Sequence, residues 1–239
     1  MNQTLNFWMS LSVPPAGPNS PFARARMKKF LFVLMFLLGA VSLFAGSSKE
    51  FTFMWQVLDA LRFSRSAIDY RVIAKKPTRE MIADTDAANV NFEKAKQVLD
   101  IYTRDEDKAI YNFTSAIING IDMLIYSNDG FNGKLQSVAG LIPEGFVDTV
   151  SETARFRAQN KRGWDELFSS LENQDMKTVI SKISKEERQK LIERLDAIFA
   201  DSGEALTEEE GFEILKEEKR DLQRRFTQAI VNIRERLGD

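Results

Sequence analysis

Apolar residues recur at helical spacing from residue 49 to the end of the chain. They lie three, four or seven positions apart, as expected when one face of each helix is buried. The pattern predicts long helices over residues 49–74, 79–102, 105–126, 144–171 and 208–237, and shorter helices around residues 176–183 and 185–199. Alternation typical of β-strands is not found over any useful length. We therefore predict an all-α fold, a multi-helix bundle.

Residues 127–145 interrupt this pattern. They contain Gly130, Gly133, Gly140, Gly145 and Pro143, and the turn-forming sequences Asn-Asp-Gly and Asn-Gly. Such clusters are typical of chain turns. We expect the third long helix to end at Tyr126, with two helical lobes joined near residues 127–145 as the alternative to a single bundle.

Local signals predict where several helices begin. Ser184 and Glu187 have the spacing of a capping box, in which each side chain bonds the other residue's backbone amide. Thr103 with Glu106 has the same spacing, and a further box begins at Thr207. We also expect Thr78 to cap the second helix.

A basic segment precedes an uncharged apolar run near the N-terminus. Met27 is followed by Lys28 and Lys29, and residues 30–45 carry no charge. This order predicts a secretory signal at residues 27–46, with cleavage after Ala45 or Gly46. The apolar run has 16 residues, fewer than the roughly 20 of a spanning helix. An uncleaved signal that tethers the protein to the membrane through residues 30–45 is the alternative.

Residues 1–26 do not fit a signal or a helix. Their prolines, Pro14, Pro15, Pro18 and Pro21, disfavour helical structure. We interpret this segment as a disordered or mis-annotated extension ahead of a start at Met27. The helical domain is predicted to occupy residues 47–239.

The chain contains neither cysteine nor histidine. Disulfides, thiolate chemistry, histidine-dependent catalysis and zinc sites of the usual ligands are therefore excluded. Together with the signal, the lack of cysteine favours an extracytoplasmic address in bacteria, the periplasm first. Without cysteine or histidine ligands we predict no metal site. Because no phosphate-binding glycine pattern is present either, we predict no cofactor.

Net charge argues against a nucleic-acid partner. Without Arg24, Arg26, Lys28 and Lys29 of the signal region, 29 of the 33 basic residues remain against 35 acidic ones. An acidic chain lacks the surplus of cations that neutralises phosphates. Contact with a membrane is expected only through an uncleaved signal.

The best candidate for a binding site is a basic stretch in the fourth long helix, formed by Arg155, Arg157, Lys161 and Arg162. Arg155 and Arg162 share a helix face, as do Arg157 and Lys161. They could hold an acidic protein, a phosphate headgroup or an anionic glycan. The alternative is a solvated segment paired with nearby acids.

Catalysis, if any, would have to use carboxylates. Acids in apolar surroundings are the candidates for such chemistry, although a solvent-exposed helix face explains them better: Asp59, Asp69, Asp100, Asp122 and Glu152.

Three functions are compatible with the sequence. We expect first a non-enzymatic interaction or structural protein of the bacterial cell envelope with a protein partner. The alternatives are a bundle that binds an apolar or lipid-like ligand between its aromatic residues, and a carboxylate-based glycan hydrolase.

Overall fold

The computed structural model describes residues 46–70, 78–141, 154–199 and 213–239. The predicted all-α, multi-helix bundle is confirmed, and no strand occurs in these ranges. The helices are α1 (Lys49–Asp69), α2 (Thr78–Leu99), a 3-10 helix (Asp100–Tyr102), α3 (Lys108–Leu141), α4 (Ala154–Ser170), α5 (Gln174–Ser181), α6 (Lys185–Phe199) and α7 (Glu213–Gly238). The predicted extension, the apolar run of the signal and the Thr207 capping box lie outside the described residues.

Helix α3 lies at the centre of the bundle and packs against α2, α4 and α5. Helix α1 packs against α2 on one side and against α5, α6 and α7 on others, while α6 and α7 contact each other. Residues Ser48–Asp239 group as one compact unit. The chain in this range therefore does not divide into two lobes near residues 127–145.

The predicted break after Tyr126 is wrong, because α3 continues as a helix to Leu141. The glycine at 130 serves helix packing and not a turn: a Cβ on Gly130 would lie 2.3 Å from Cε1 of Phe156 on α4. Asn128 and Asn132 direct their amides to neighbouring helices. Tertiary contacts thus override the low helix propensity of this segment.

Helix starts show which local signals are reliable. The Ser184 capping box is confirmed: Glu187 N donates to Ser184 Oγ (3.2 Å), and Ser184 N donates to Glu187 Oε2 (3.3 Å). The box expected at Thr103 does not form, because the Thr103 hydroxyl donates to Asp100 O (2.7 Å) in the 3-10 turn. Asp107 caps α3 instead, accepting from Ala109 N at 2.9 Å. Thr78 is the first helical residue of α2 and not the residue before it.

Helices α3 and α4 approach each other through two glycines. A Cβ on Gly120 would lie 2.8 Å from Leu167 N, and one on Gly163 would lie 2.8 Å from Cγ of Leu124. Real Cβ atoms do not come this close to other heavy atoms. The two backbones are therefore in direct contact at Gly120 and Gly163, which we call the glycine contact.

Aromatic rings fill the interior on both sides of α3. Phe53 lies edge-on to Tyr102 and to Phe113, with ring centroids 4.8 and 5.7 Å apart. Trp164 stacks on Phe168 at 5.8 Å. Each such ring buries a large apolar surface and so stabilises the bundle. Among the described residues these aromatics pack against one another, as expected for a core.

Replacement of Gly120 by alanine should destabilise the bundle by about 1–3 kcal/mol, since the new methyl group meets backbone atoms of α4 that cannot move aside. Gly133→Ala is the matched control, because nothing lies within 4 Å of its Cβ position on the same helix. Alanine there should raise stability by about 0.5–1 kcal/mol. Urea unfolding measures both changes; equal effects would contradict the glycine contact.

Candidate functional site

The predicted basic stretch lies in the N-terminal half of α4. Arg155, Lys161 and Arg162 are exposed to solvent. None of these three side chains forms an ion pair within the described part of the chain. We call Arg155, Lys161 and Arg162 the cationic face of α4.

Arg157 has a different environment from the other three basic residues. Its guanidinium pairs with the carboxylate of Glu218 on α7, and its side chain is only 20% exposed. Its Nε is buried and has no hydrogen-bond partner. Arg157 thus joins α4 to α7, whereas the cationic face is directed outward. Whether these residues bind a partner stays a prediction.

A network of polar side chains lies beneath this part of α4, between α2, α3 and α4. We call it the polar seam and define it by seven residues: Asp86, Asn89, Ser127, Asn128, Asp129, Asn132 and Asn160. Ser127, Asn132 and Asn160 are buried, whereas Asp86 and Asp129 reach solvent.

Asn160 connects α4 to α3 within the polar seam. Its Nδ2 donates to Ser127 Oγ (3.1 Å) and contacts Asn128 Oδ1 at 3.4 Å. The Ser127 hydroxyl in turn donates to the Leu124 carbonyl at 3.0 Å. Buried amides are costly unless they are hydrogen-bonded, so these bonds favour one rotation of α4 about its axis.

Three further bonds connect α3 to α2. Asn128 Nδ2 donates to Asn89 Oδ1 (2.8 Å), and Asn89 Nδ2 donates to Asp129 Oδ1 (2.8 Å). One turn further along α3, Asn132 Nδ2 donates to Asp86 Oδ1 at 2.6 Å. Because each amide needs its partner in register, a slip of α3 along α2 would break several bonds together.

The polar seam and the glycine contact together determine which side of α4 faces solvent. Asn160 and Gly163 lie three residues apart and both face α3. At 3.6 residues per turn, Arg162 lies roughly 200° around the helix from Asn160. The same rotation that satisfies Asn160 therefore places the cationic face outward.

The sequence contained a signal for the polar seam that the helix pattern alone did not reveal. Asn128 and Asn132 are four residues apart, so both amides belong on one face of a continuous helix. The nearby Gly130 and Gly133 favour the turn interpretation instead, which the structure shows to be wrong. Asn89 and Asn160 could be assigned to the network only from the fold.

The acids considered for catalysis mostly pair with cations. Asp122 lies 2.6 Å from Lys96 Nζ, Asp69 lies 2.7 Å from Arg65, and Asp59 lies 2.5 Å from Arg194. Asp100 is exposed at the start of the 3-10 helix, and Glu152 is outside the described residues. Among the described side chains, no group of three or more potential ligands is placed to hold a metal ion.

A second charged cluster joins the starts of α1 and α3 to the end of α5. Lys49 Nζ lies 2.6 Å from Asp105 Oδ1, and Lys182 pairs with Asp107. The hydrogen bond from Lys182 outweighs the opposing effect of burial and, with bonds from the Ala109 and Ile110 amides, lowers the pKa of Asp107. The Asp105 carboxylate similarly raises the pKa of Lys49.

Comparison with known protein families, curated proteins and solved structures found no match to this chain. None of the helices in the described ranges combines the length and apolar character needed to cross a membrane. The arguments about function therefore depend on the geometry of this bundle.

Asn160→Ala should destabilise the protein by about 1–3 kcal/mol, because Ser127 and Asn128 lose a buried donor. Asn112→Ala, an exposed position on α3, should change stability by less than about 0.5 kcal/mol. Thermal and urea unfolding of both variants provide the measurement. A loss at Asn160 no larger than that at Asn112 would mean that the polar seam has no energetic role.

Asp107→Asn should lower stability at pH 7 while preserving the cap, since asparagine caps a helix as well as aspartate. A carboxyl with a lowered pKa in the fold stabilises the protein above its ordinary pKa, and this contribution is lost as the pH falls through the folded pKa. The difference between wild type and Asp107→Asn should therefore shrink below about pH 5. Urea unfolding from pH 7 to pH 2 checks this, and a pH-independent difference would contradict it.

Proposed function

We propose that this chain is an exported, non-enzymatic helical interaction protein of the bacterial cell envelope, and that it holds an acidic protein partner on the cationic face of α4. The signal-like segment at residues 27–46 supports the address. The observation that carries the proposal is that Arg155, Lys161 and Arg162 are exposed and form no ion pair with any acid that the structure describes.

Several other basic residues of the bundle form ion pairs. Arg194 pairs with Asp59, Arg225 with Asp165, and Arg234 forms two bonds to Asp196. Arg225 and Arg234 thus form ion pairs with acids although both side chains reach solvent. Arg155, Lys161 and Arg162 form no such ion pair in the described part of the chain. Residues 155–162 contain four cations and no acid, a local excess of positive charge on a chain whose formal net charge is −2.

A local excess of this kind favours an acidic partner. Opposite charges steer the encounter of two proteins and align them before contact, an effect that is strongest at low salt. Arg155 and Arg162 lie seven residues apart, which places their Cα atoms about 10 Å apart along α4. Carboxylates one or two helical turns apart on a partner would match this spacing.

The rigid support of α4 is also relevant to binding. The polar seam, the glycine contact and the Arg157–Glu218 pair all hold the helix on its inner side. A surface that is already ordered loses less conformational entropy when a partner docks. The same three contacts would keep the cationic face in one orientation in the free protein.

Photo-crosslinking in living bacteria tests the proposal. A photoreactive residue at Ala158, which is exposed within the cationic face, should trap an envelope protein with an acidic contact region. Arg155→Glu, Lys161→Glu and Arg162→Glu combined should reduce crosslinking by about tenfold or more, because attraction becomes repulsion. The purified pair should also dissociate as salt is raised.

The matched control reverses three exposed cations elsewhere: Lys177 on α5, Lys190 on α6 and Arg220 on α7. This variant has the same net charge as the first but keeps the cationic face, so crosslinking at position 158 should persist. Equal loss of crosslinking in both variants would mean that net charge, and not the cationic face, determines binding. Undiminished crosslinking after reversal of the cationic face would refute the proposal. Recovery of the protein from the cytoplasm and not from the cell envelope would refute it as well.

A further inference from the structure

The outward side of α7 carries an exposed apolar residue between charges of opposite sign. Val231 is 41% exposed. Seven residues before it, the Arg224 side chain is 77% exposed, and its guanidinium lies 4.0 Å from Asp221 Oδ1. Glu235 and Asp239 follow Val231 and are exposed as well. Since neither of these two carboxylates forms an ion pair within the described part of the chain, α7 presents a cation before Val231 and two acids after it.

Helical geometry places these residues on one face of α7. Arg224 and Gly238 each lie seven residues from Val231, which is about 10 Å along the axis and roughly 20° around it. The Asp239 amide donates to Glu235 O at 3.1 Å, so the helical turn continues past Gly238. Glu235 and Asp239 are four residues apart and therefore neighbours on the helix surface. Their carboxylates lie on either side of Gly238 along the axis.

A groove of about 590 Å³ lies between α6 and α7 on this side of the bundle. Its walls include six residues, two from α6 and four from α7: Gln189, Ile192, Val231, Glu235, Gly238 and Asp239. Nothing lies within 4 Å of a Cβ built on Gly238, so the groove is open at this point. Arg234 also borders the groove, but its charge is paired with Asp196. Glu235 and Asp239 therefore make the groove acidic.

We propose that α7 of a second copy of this chain lies antiparallel across α7, about a twofold axis near Val231, and that its Arg224 enters the groove. In such a symmetric pair, a residue before Val231 faces the residue equally far after it on the other copy. Arg224 of the second copy is therefore opposite Gly238, where Glu235 and Asp239 flank its guanidinium. The symmetry forms this contact twice.

Charge complementarity is the reason why a second copy fits this face in the antiparallel direction. A parallel pair would bring Arg224 against Arg224 and Glu235 against Glu235, and like charges in contact disfavour association. The antiparallel pair instead forms charge-assisted hydrogen bonds from one guanidinium to two carboxylates. Gly238 leaves room for the aliphatic part of the arginine, and Val231 meets its symmetry mate at the apolar centre of the contact.

The contact is small and lies away from α4. Interfaces that bury little surface are transient, so we expect a dimer that forms at high protein concentration and dissociates as salt screens its ion pairs. Helix α4 reaches α7 through the pair of Asp165 with Arg225. Arg225 lies six residues before Val231 and thus roughly 120° around α7 from it. The inference does not depend on the proposed binding of an acidic partner to the cationic face.

The lack of cysteine in this chain provides a direct test. Val231→Cys places one thiol per copy beside the proposed twofold axis. Mild oxidation of the purified full chain with copper phenanthroline should convert most of this variant into a disulfide-linked dimer, which nonreducing electrophoresis detects. Val90→Cys is the matched control, because Val90 is 54% exposed but lies on α2, which does not line the groove. This second variant should stay largely monomeric.

Charge reversal tests the role of the arginine. In the Val231→Cys chain, Arg224→Glu should slow disulfide formation about tenfold or more, because a carboxylate then faces two others. Adding Glu235→Arg and Asp239→Arg should restore the rate, since opposite charges face each other again. Lys177→Glu makes the same change in net charge as Arg224→Glu at an exposed position of α5 and should leave the rate unchanged.

Two results would overturn the proposed dimer: equal disulfide formation at positions 90 and 231, or a rate at position 231 that Arg224→Glu does not lower. Circular dichroism verifies that each variant is folded. Sedimentation velocity of the unmodified chain provides a measurement without any substitution. Its average mass should rise with protein concentration and fall with salt, and a monomer at every concentration would contradict the proposal.

Discussion

Backbone contact between Gly120 of α3 and Gly163 of α4 is the constraint on which the other features of the bundle depend. A Cβ at either position would come within 2.8 Å of the opposite helix, so only glycine permits the observed separation. The close approach brings Leu124 against Gly163 and carries Trp164 and Leu167 into the core, where they are at most 3% exposed. It also brings Asn160 within reach of Ser127.

The polar seam determines how α4 is rotated about its own axis at this contact. Apolar side chains accept many rotations of a helix at similar cost, whereas buried amides are stable only where each meets its partner. Asn160, Asn128 and Asn89 form one connected path from α4 through α3 to α2. The outward orientation of the cationic face is a consequence of this path, so the proposed binding surface and the buried network are two sides of one helix.

Features whose partners lie close together in the sequence could be predicted from it, whereas features that depend on another helix could not. Ser184 and Glu187 cap α6 as expected because both partners lie within one turn. The end of α3 was mispredicted because Gly130 is explained only by Phe156, a residue of another helix. Thr103 has capping spacing but bonds Asp100 instead, a competition that the spacing does not reveal.

In the candidate site, too, only features that depend on residues close in sequence could be predicted. The basic stretch on α4 could be found from the sequence because its members are adjacent. That Arg157 pairs with Glu218, 61 positions away, could not. Nor could Glu187 be recognised as the hydrogen-bond partner of Ser48, 139 positions away, since helical periodicity says which face is buried but not which helix covers it.

Amide hydrogen exchange across α3 tests the central claim most directly, because the polar seam exists only if residues 127–135 are helical and packed against α4. The account predicts that the amides of Gly130, Asn132 and Leu135 exchange far more slowly than those of an unstructured peptide and that this protection is comparable with that of Ile117 and Leu124. Exchange of residues 127–135 at the rates of an open loop, with protection ending near Tyr126, would contradict it.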